Sequence, residues 1–260
     1  MTDKLLLISG NDIPFNAARA IVHQPTLKEI AYIGEETFFT GCNFLNFSKD
    51  TMSTSDKVNL EQYNDFDILM TMIINSKKNP KLAKNVDSAM RVLELMFPLY
   101  NVSVRDNIIV LQYGQAEMSI NNKNFTQFKQ ILSDIFCLKT GLASSQDEYN
   151  VQGEMAQRIA DKLKARHRKL AELKAERNKG TETFSILSRY ASILAVGEGK
   201  TIHSLMQYTV YQLFDEFQRY QLKVQWDAYV QAKMAGAQNL DEVDNWMIDL
   251  VDQGKNKNKK

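Results

Sequence analysis

The sequence predicts an α+β fold in which helices dominate, and three observations carry that prediction. Apolar residues recur at three- and four-residue spacing over most of the chain. Alternating, β-branched segments bounded by turn residues cluster between Asn101 and Ile120. The four prolines (Pro14, Pro25, Pro80 and Pro98) all precede residue 99. Three regions are expected: a small mixed N-terminal region with a few antiparallel strands over 1–121, a helical region with one long charged helix over 122–252, and a disordered basic tail over 253–260.

The elements follow in order. Residues 5–8 are a short apolar strand candidate. Residues 13–23 are a second, with Pro14 suiting an edge position. Pro25 ends it. Thr26 is a good N-cap for a helix through Leu27 and Ile30, with Glu29 at the capping-box position. Gly34 breaks that helix, and 35–47 restarts as an apolar one. The polar stretch 48–59 reads as a loop. Helices follow over 60–75 and 81–97, the second stopped by Pro98. Strands at 101–104, 108–113 and 117–120 are turned by Asp106-Asn107 and Gly114 into a hairpin or meander.

Helices are then expected over 125–138, 148–177 and 184–196. Thr201 caps a strongly amphipathic helix bearing Ile202, Met206, Val210, Leu213, Phe217, Tyr220 and Val224. It can run to Ala235, with Gly236 closing it. A last helix, 240–251, puts Leu240, Val243, Met247 and Leu250 on one face beside Trp246.

At 44% hydrophobic and 24% charged, the composition is that of a globular protein. No apolar run approaches the roughly 18 residues of a membrane span. The apolar run before Ser9 is too short for the core of a signal peptide. Cys42 and Cys137 sit in apolar contexts and read as buried, reduced thiols. His23, His167 and His203 lack the spacing of a metal site. Val196-Gly197-Glu198-Gly199-Lys200-Thr201 looks like half of a phosphate-binding loop. Leu194 stands where the first glycine is needed, so the segment reads as a helix-ending glycine followed by a Thr N-cap. No catalytic residue, cofactor-binding residue or metal ligand emerges, and the expectation is a protein that is not an enzyme and needs no cofactor.

Two features remain as interaction surfaces. Residues 158–179 hold nine Lys/Arg against three Asp/Glu, with Arg158, Lys162, Lys164, Arg166, Arg168 and Lys169 as the basic patch. Such a helix is ordinarily a solvated face, though it can meet an acidic protein or a phosphate backbone. It has no aromatic residue to stack on bases. The apolar stripe Met206, Val210, Leu213, Phe217 and Tyr220 is ordinarily core, but its length leaves room for a partner. Val243, Trp246, Met247 and Leu250 could be offered in trans or packed in cis. The net charge of +1 is a cancellation, since residues 211–254 hold three Lys/Arg and eight Asp/Glu.

The layout resembles the tail assembly chaperones of tailed bacteriophages. The likeness is carried by Ile21-Val-His-Gln-Pro-Thr-Leu-Lys-Glu-Ile-Ala-Tyr-Ile-Gly-Glu-Glu-Thr-Phe near the start and the long charged helix. It continues in Ile202-His-Ser-Leu-Met-Gln-Tyr-Thr-Val-Tyr-Gln-Leu-Phe-Asp-Glu-Phe-Gln-Arg, Gly236 and Trp246-Met247. The resemblance implies a non-catalytic protein of the host cytoplasm that binds the tape measure protein, keeps it soluble during tail assembly, and has the tail tube protein as a further partner. Homo-oligomers are open, a membrane partner is not expected, and nucleic acid is disfavoured. Many such proteins also have a frameshifted long form, and A-rich codons for the Lys/Asn tail would suit one.

Eleven methionines, among them Met70, Met72, Met90, Met96, Met206, Met234 and Met247, suit variable partners or a Met-rich core. Two rival readings are a structural virion component (a baseplate or tail-completion protein) and a nucleic-acid-binding regulatory or packaging protein using 158–179.

Overall fold

Asp3 decides the first element. Its side chain accepts the Leu5 N–H, and Gly10, at φ 70°, closes a short helix, α1 (Lys4–Ser9). The strand expected at 5–8 is therefore helical. A run of four apolar residues carries no period, whereas the cap and the terminal glycine do carry direction. The structure, a computed structural model, describes residues 2–49, 62–138 and 186–236, together with Met247.

The single strand expected over 13–23 is a hairpin, β1 (Ile13–Phe15) and β2 (Ala20–Val22), with Ile13 opposite Val22 and Phe15 opposite Ala20. A 3-10 turn at Asn16–Ala18 and a left-handed Arg19, at φ 53°, reverse the chain. Ile13, Phe15, Ala20 and Val22 face the core, while Pro14 and Ile21 point outward. In a two-stranded ribbon both strands are edges, so Pro14 breaks no ladder.

The Thr26 capping box forms as expected and opens α2 (Leu27–Ile33), and Gly34, at φ 83°, leads into α3 (Glu35–Leu45). Asn64 accepts the Asp67 N–H to start α4 (Asp65–Asn75), five residues later than the periodicity predicts. Asn79 and Pro80 start α5 (Pro80–Met96). The meander is present: β3 (Asn101–Arg105), β4 (Ile108–Tyr113) and β5 (Ala116–Ile120) pair antiparallel in that order. Asp106 and Asn107 both adopt positive φ, which the tight β3–β4 turn requires. Helix α6 (Phe125–Ile135) follows.

Among the described residues three helices follow: α7 (Ile186–Glu198), α8 (Ile202–Leu205) and α9 (Val210–Met234). The one helix expected from Thr201 to Ala235 is thus two. Thr209 forms a second capping box with Gln212, and the chain between Met206 and Thr209 turns to meet the start of α2. Gly199, at φ 69°, follows α7 and Thr201 caps α8, so the half phosphate-loop pattern is a junction between helices. The loop over 50–59, the long helix over 148–177, the helix over 240–251 apart from Met247, and the basic tail lie outside the described residues.

One continuous apolar core runs from Leu7 to Phe217. It crosses the expected boundary at 121. Phe15 lies 6.2 Å from Phe128, Phe66 lies 5.0 Å from Phe125, and Phe38 meets Phe136 edge-on at 4.9 Å. Helix α6 therefore packs with the N-terminal elements. Helices α3 and α5 approach so closely that a Cβ on Gly41 would lie 2.7 Å from the Ser88 carbonyl carbon and from Val92.

Phe47, Lys49 and Asp65 are tied together by Lys129 and a backbone hydrogen bond. The Lys129 ammonium pairs with Asp65 and reaches the Phe47 carbonyl, and Asp65 accepts the Lys49 N–H at 3.0 Å. Burial resists ionisation of Asp65. The Lys129 ammonium and the Lys49 N–H outweigh that resistance and hold the carboxyl below its ordinary value.

Candidate functional site

The first half of α9 is core. Val210 and Leu213 are fully buried and Phe217 is 7% exposed. Tyr190 of α7 stacks on Phe217 with 3.8 Å between ring centroids and meets Phe214 edge-on. Met206 is half-buried, and Tyr220 packs against Gly197, where even a methyl group would overlap its ring. The apolar stripe from Met206 to Tyr220 thus closes the interior and joins α7 to the N-terminal half.

That joint is also polar. The Leu27 N–H donates to the Tyr208 carbonyl at 2.8 Å and the Lys28 N–H to the Met206 carbonyl at 2.9 Å. Thr26 and Thr209, the two N-caps, pair in an isolated bridge. Gln212 reaches back to donate to the Ile8 carbonyl at 2.7 Å. Backbone groups at the start of α2 are thereby satisfied by the α8–α9 turn. Lys200 adds a charged tie, bound to Glu216, to Glu198 at 3.3 Å and to the Tyr208 hydroxyl at 3.0 Å. Partial burial works against its charge, and these three partners outweigh burial and raise its pKa. A lysine held in this way has a structural role within the chain.

Beyond Tyr220 the helix changes character. Leu222, Trp226, Tyr229 and Val230 are half-buried, and they lie at the i, i+4, i+7 and i+8 positions that share one helix face. Val224 is 47% exposed and Met234 85%. Charged groups here pair along the helix: Lys223 with Asp227 at 3.1 Å, and Lys233 above the Tyr229 ring. The sequence reading stopped its stripe at Val224 and missed Trp226, Tyr229 and Val230. They lie about half a turn round the helix from Leu213 and Phe217, so that stripe does not reach them; their own i, i+4, i+7 and i+8 spacing from Leu222 is the signal that could have found them.

Met247 is 68% exposed. Val243, Trp246 and Leu250 lie outside the described residues, as do Arg158, Lys162, Lys164, Arg166, Arg168 and Lys169.

The titratable groups elsewhere have structural duties. His23 sits between Asp12 (2.9 Å) and Glu29 (3.3 Å). Glu29 is the capping-box carboxylate. Burial resists its charge, but the Thr26 hydrogen bonds and His23 hold its pKa below the ordinary value. Cys42 is fully buried, and burial pushes its thiol pKa up, away from a reactive thiolate. Among the described residues no His/Cys/Asp/Glu cluster could hold a metal ion, and no helix is long and apolar enough to cross a membrane.

Residues 179–250 match the family model described as YomV second domain. That span contains α7 to α9, the joint to the N-terminal half and the distal face of α9. No curated protein and no solved structure matches the chain.

Proposed function

We propose that this chain is a phage protein that acts by binding another protein, as a tail assembly chaperone that holds the tape measure protein in soluble form. The match of residues 179–250 to the YomV second domain carries the reading, because that family name is phage-derived. The resemblance in layout to tail assembly chaperones supplies the finer assignment. The client surface is the distal face of α9, with Trp226 at its centre, together with the apolar residues of 240–251. The stripe from Val210 to Phe217 supports that surface from within the core. A long apolar client needs a partner whose contacts adapt in shape, and an aromatic and aliphatic helix face edged by Lys223, Asp227 and Lys233 supplies them.

Co-expression with the tape measure protein of the same phage tests the reading. The large protein is expected in the soluble fraction only when this chain is present. Recovery of this chain as a stoichiometric part of purified particles would instead favour a structural virion component. Solubility of the tape measure protein without this chain would defeat the chaperone reading.

A further inference from the structure

We propose that the outer edge of β3 pairs with the same edge of a second copy of this chain, joining two three-stranded sheets into one. The other strand edges among the described residues are closed. Pro14 on β1 has no N–H to offer. On β2 the Ile21 N–H donates to the Tyr100 hydroxyl at 3.1 Å, and the next outward N–H, that of His23, donates to the Met96 carbonyl at 2.8 Å. On β5 the Ser119 carbonyl accepts from Asn124 Nδ2 at 2.8 Å, and the Asn121 N–H donates to Asn124 Oδ1 at 2.8 Å. Just before β3 the Tyr100 N–H is taken by the Phe97 carbonyl at 2.9 Å. The strand itself is left open, and an open edge is a template for another strand.

The open groups can be named. Asp106-Asn107 is a two-residue turn with Arg105 opposite Ile108. Hydrogen-bonded pairs with β4 therefore fall at Arg105, Ser103 and Asn101, and the N–H and C=O of Val102 and Val104 face away from β4. Among the described residues no hydrogen bond reaches those groups.

Their spacing fits a second copy running antiparallel, with a twofold axis through Ser103. Val102 of each copy then lies opposite Val104 of the other, and each such pair exchanges two backbone bonds. The two small Ser103 side chains meet at the close, non-hydrogen-bonded site, and Arg105 faces the neutral Asn101, so no like charges oppose. Arg105 also pairs with Glu117 of β5 at 3.9 Å, which draws it across the sheet and away from the edge. The same register sets Leu99, 61% exposed, opposite Asn107 of the second copy. Asn107 borders an open depression of about 320 Å³ that Tyr63, Met70 and Ile74 also line. An unrelated strand would satisfy the backbone of β3, but a second copy also brings an exposed leucine to this depression, once on each side of the axis. The pairing does not depend on what the client is.

Light scattering of the full chain at rising concentration should reach twice the chain mass. Ser103→Cys in a Cys137→Ser background leaves buried Cys42 as the other thiol. That variant should form a disulfide-linked dimer under mild oxidation, because the axis holds the two positions within disulfide reach, and Glu117→Cys on the β5 edge should not. Ser103→Lys and Ser103→Glu should each be monomeric, since like charges meet on the axis, and mixing the two should recover the dimer. Recovery needs folded chains, which guards against a variant that fails to fold. A native chain that stays monomeric at every concentration would overturn the proposal. So would a Ser103→Cys variant that cross-links no better than Glu117→Cys. A native-like dimer that persists in both charged variants would overturn it as well, by placing the contact elsewhere.

Discussion

Leu213 and Leu222 lie nine residues apart on one helix, two and a half turns and so on opposite faces, and the structure gives them different duties. Leu213 is fully buried in the core, while Leu222 is half-buried on the distal segment. Truncating Leu213 to Ala removes its buried methyl groups and leaves a cavity that the surrounding core can only partly close. Substitutions of this kind cost about 2–5 kcal/mol, and complete burial places Leu213 in the upper part of that range. For a chain of this size each kcal/mol lowers Tm by roughly 2–4 °C, so Leu213→Ala should lose on the order of 10 °C. Leu222→Ala should cost about 1 kcal/mol or less, since its surroundings already include solvent. Thermal melts followed by far-UV circular dichroism, with urea titrations to compare midpoints, read both values. Equal losses for the two variants would refute the division of α9 into a core half and a surface half.

Other outcomes follow from the same geometry. Gly41→Ala should lose about 1–2 kcal/mol in urea unfolding, because overpacking against the Ser88 backbone outweighs a helix-propensity gain of about 1 kcal/mol; a stabilised variant would show that α3 and α5 are not this close. Thr26→Ala should cost about 1 kcal/mol by the same measurement, since it removes the cap of α2 at the joint with α9. Asp65 has a depressed pKa, so its contribution is present above the ordinary aspartate value of 3.8 and is lost as pH falls through the lower folded-state value. The stability gap between the native chain and Asp65→Asn should therefore close on acidification below that point, and a gap constant with pH would contradict the tie between Asp65 and Lys129. Cys42 should resist a thiol reagent under native conditions and react on unfolding, as its burial and raised pKa require.

What the sequence made legible had a local physical signature. Thr26 with Glu29 announced a capping box. Asp106-Asn107 announced a tight turn whose residues tolerate positive φ. Period-two alternation announced β3 to β5. The misses lacked such a signature or had one that was overlooked. Leu5 to Ile8 could not be resolved by period, and Asp3 and Gly10 were the informative neighbours. Arg19 gave no hint that it would take the left-handed turn of the hairpin, because positive φ is uncommon for a non-glycine residue and arginine has no preference for it.

Thr209 was hidden inside a sustained apolar period, and the break there is imposed by hydrogen bonds to α2, nearly two hundred residues away in sequence. The candidate surface was half-legible for the same reason. Periodicity locates two apolar faces on α9, on opposite sides of the helix, but only packing shows that Val210, Leu213 and Phe217 are enclosed and that Leu222, Trp226 and Val230 are not.

The central claim is that this chain holds a tape measure protein through the distal face of α9. The most direct test is the soluble yield of that protein co-expressed with the native chain or with Trp226→Ala combined with Val230→Ser. The native chain should keep the tape measure protein soluble, and the variant, still folded by circular dichroism, should let most of it aggregate. Equal soluble yield with the native chain, the folded variant and no chain at all would contradict the account.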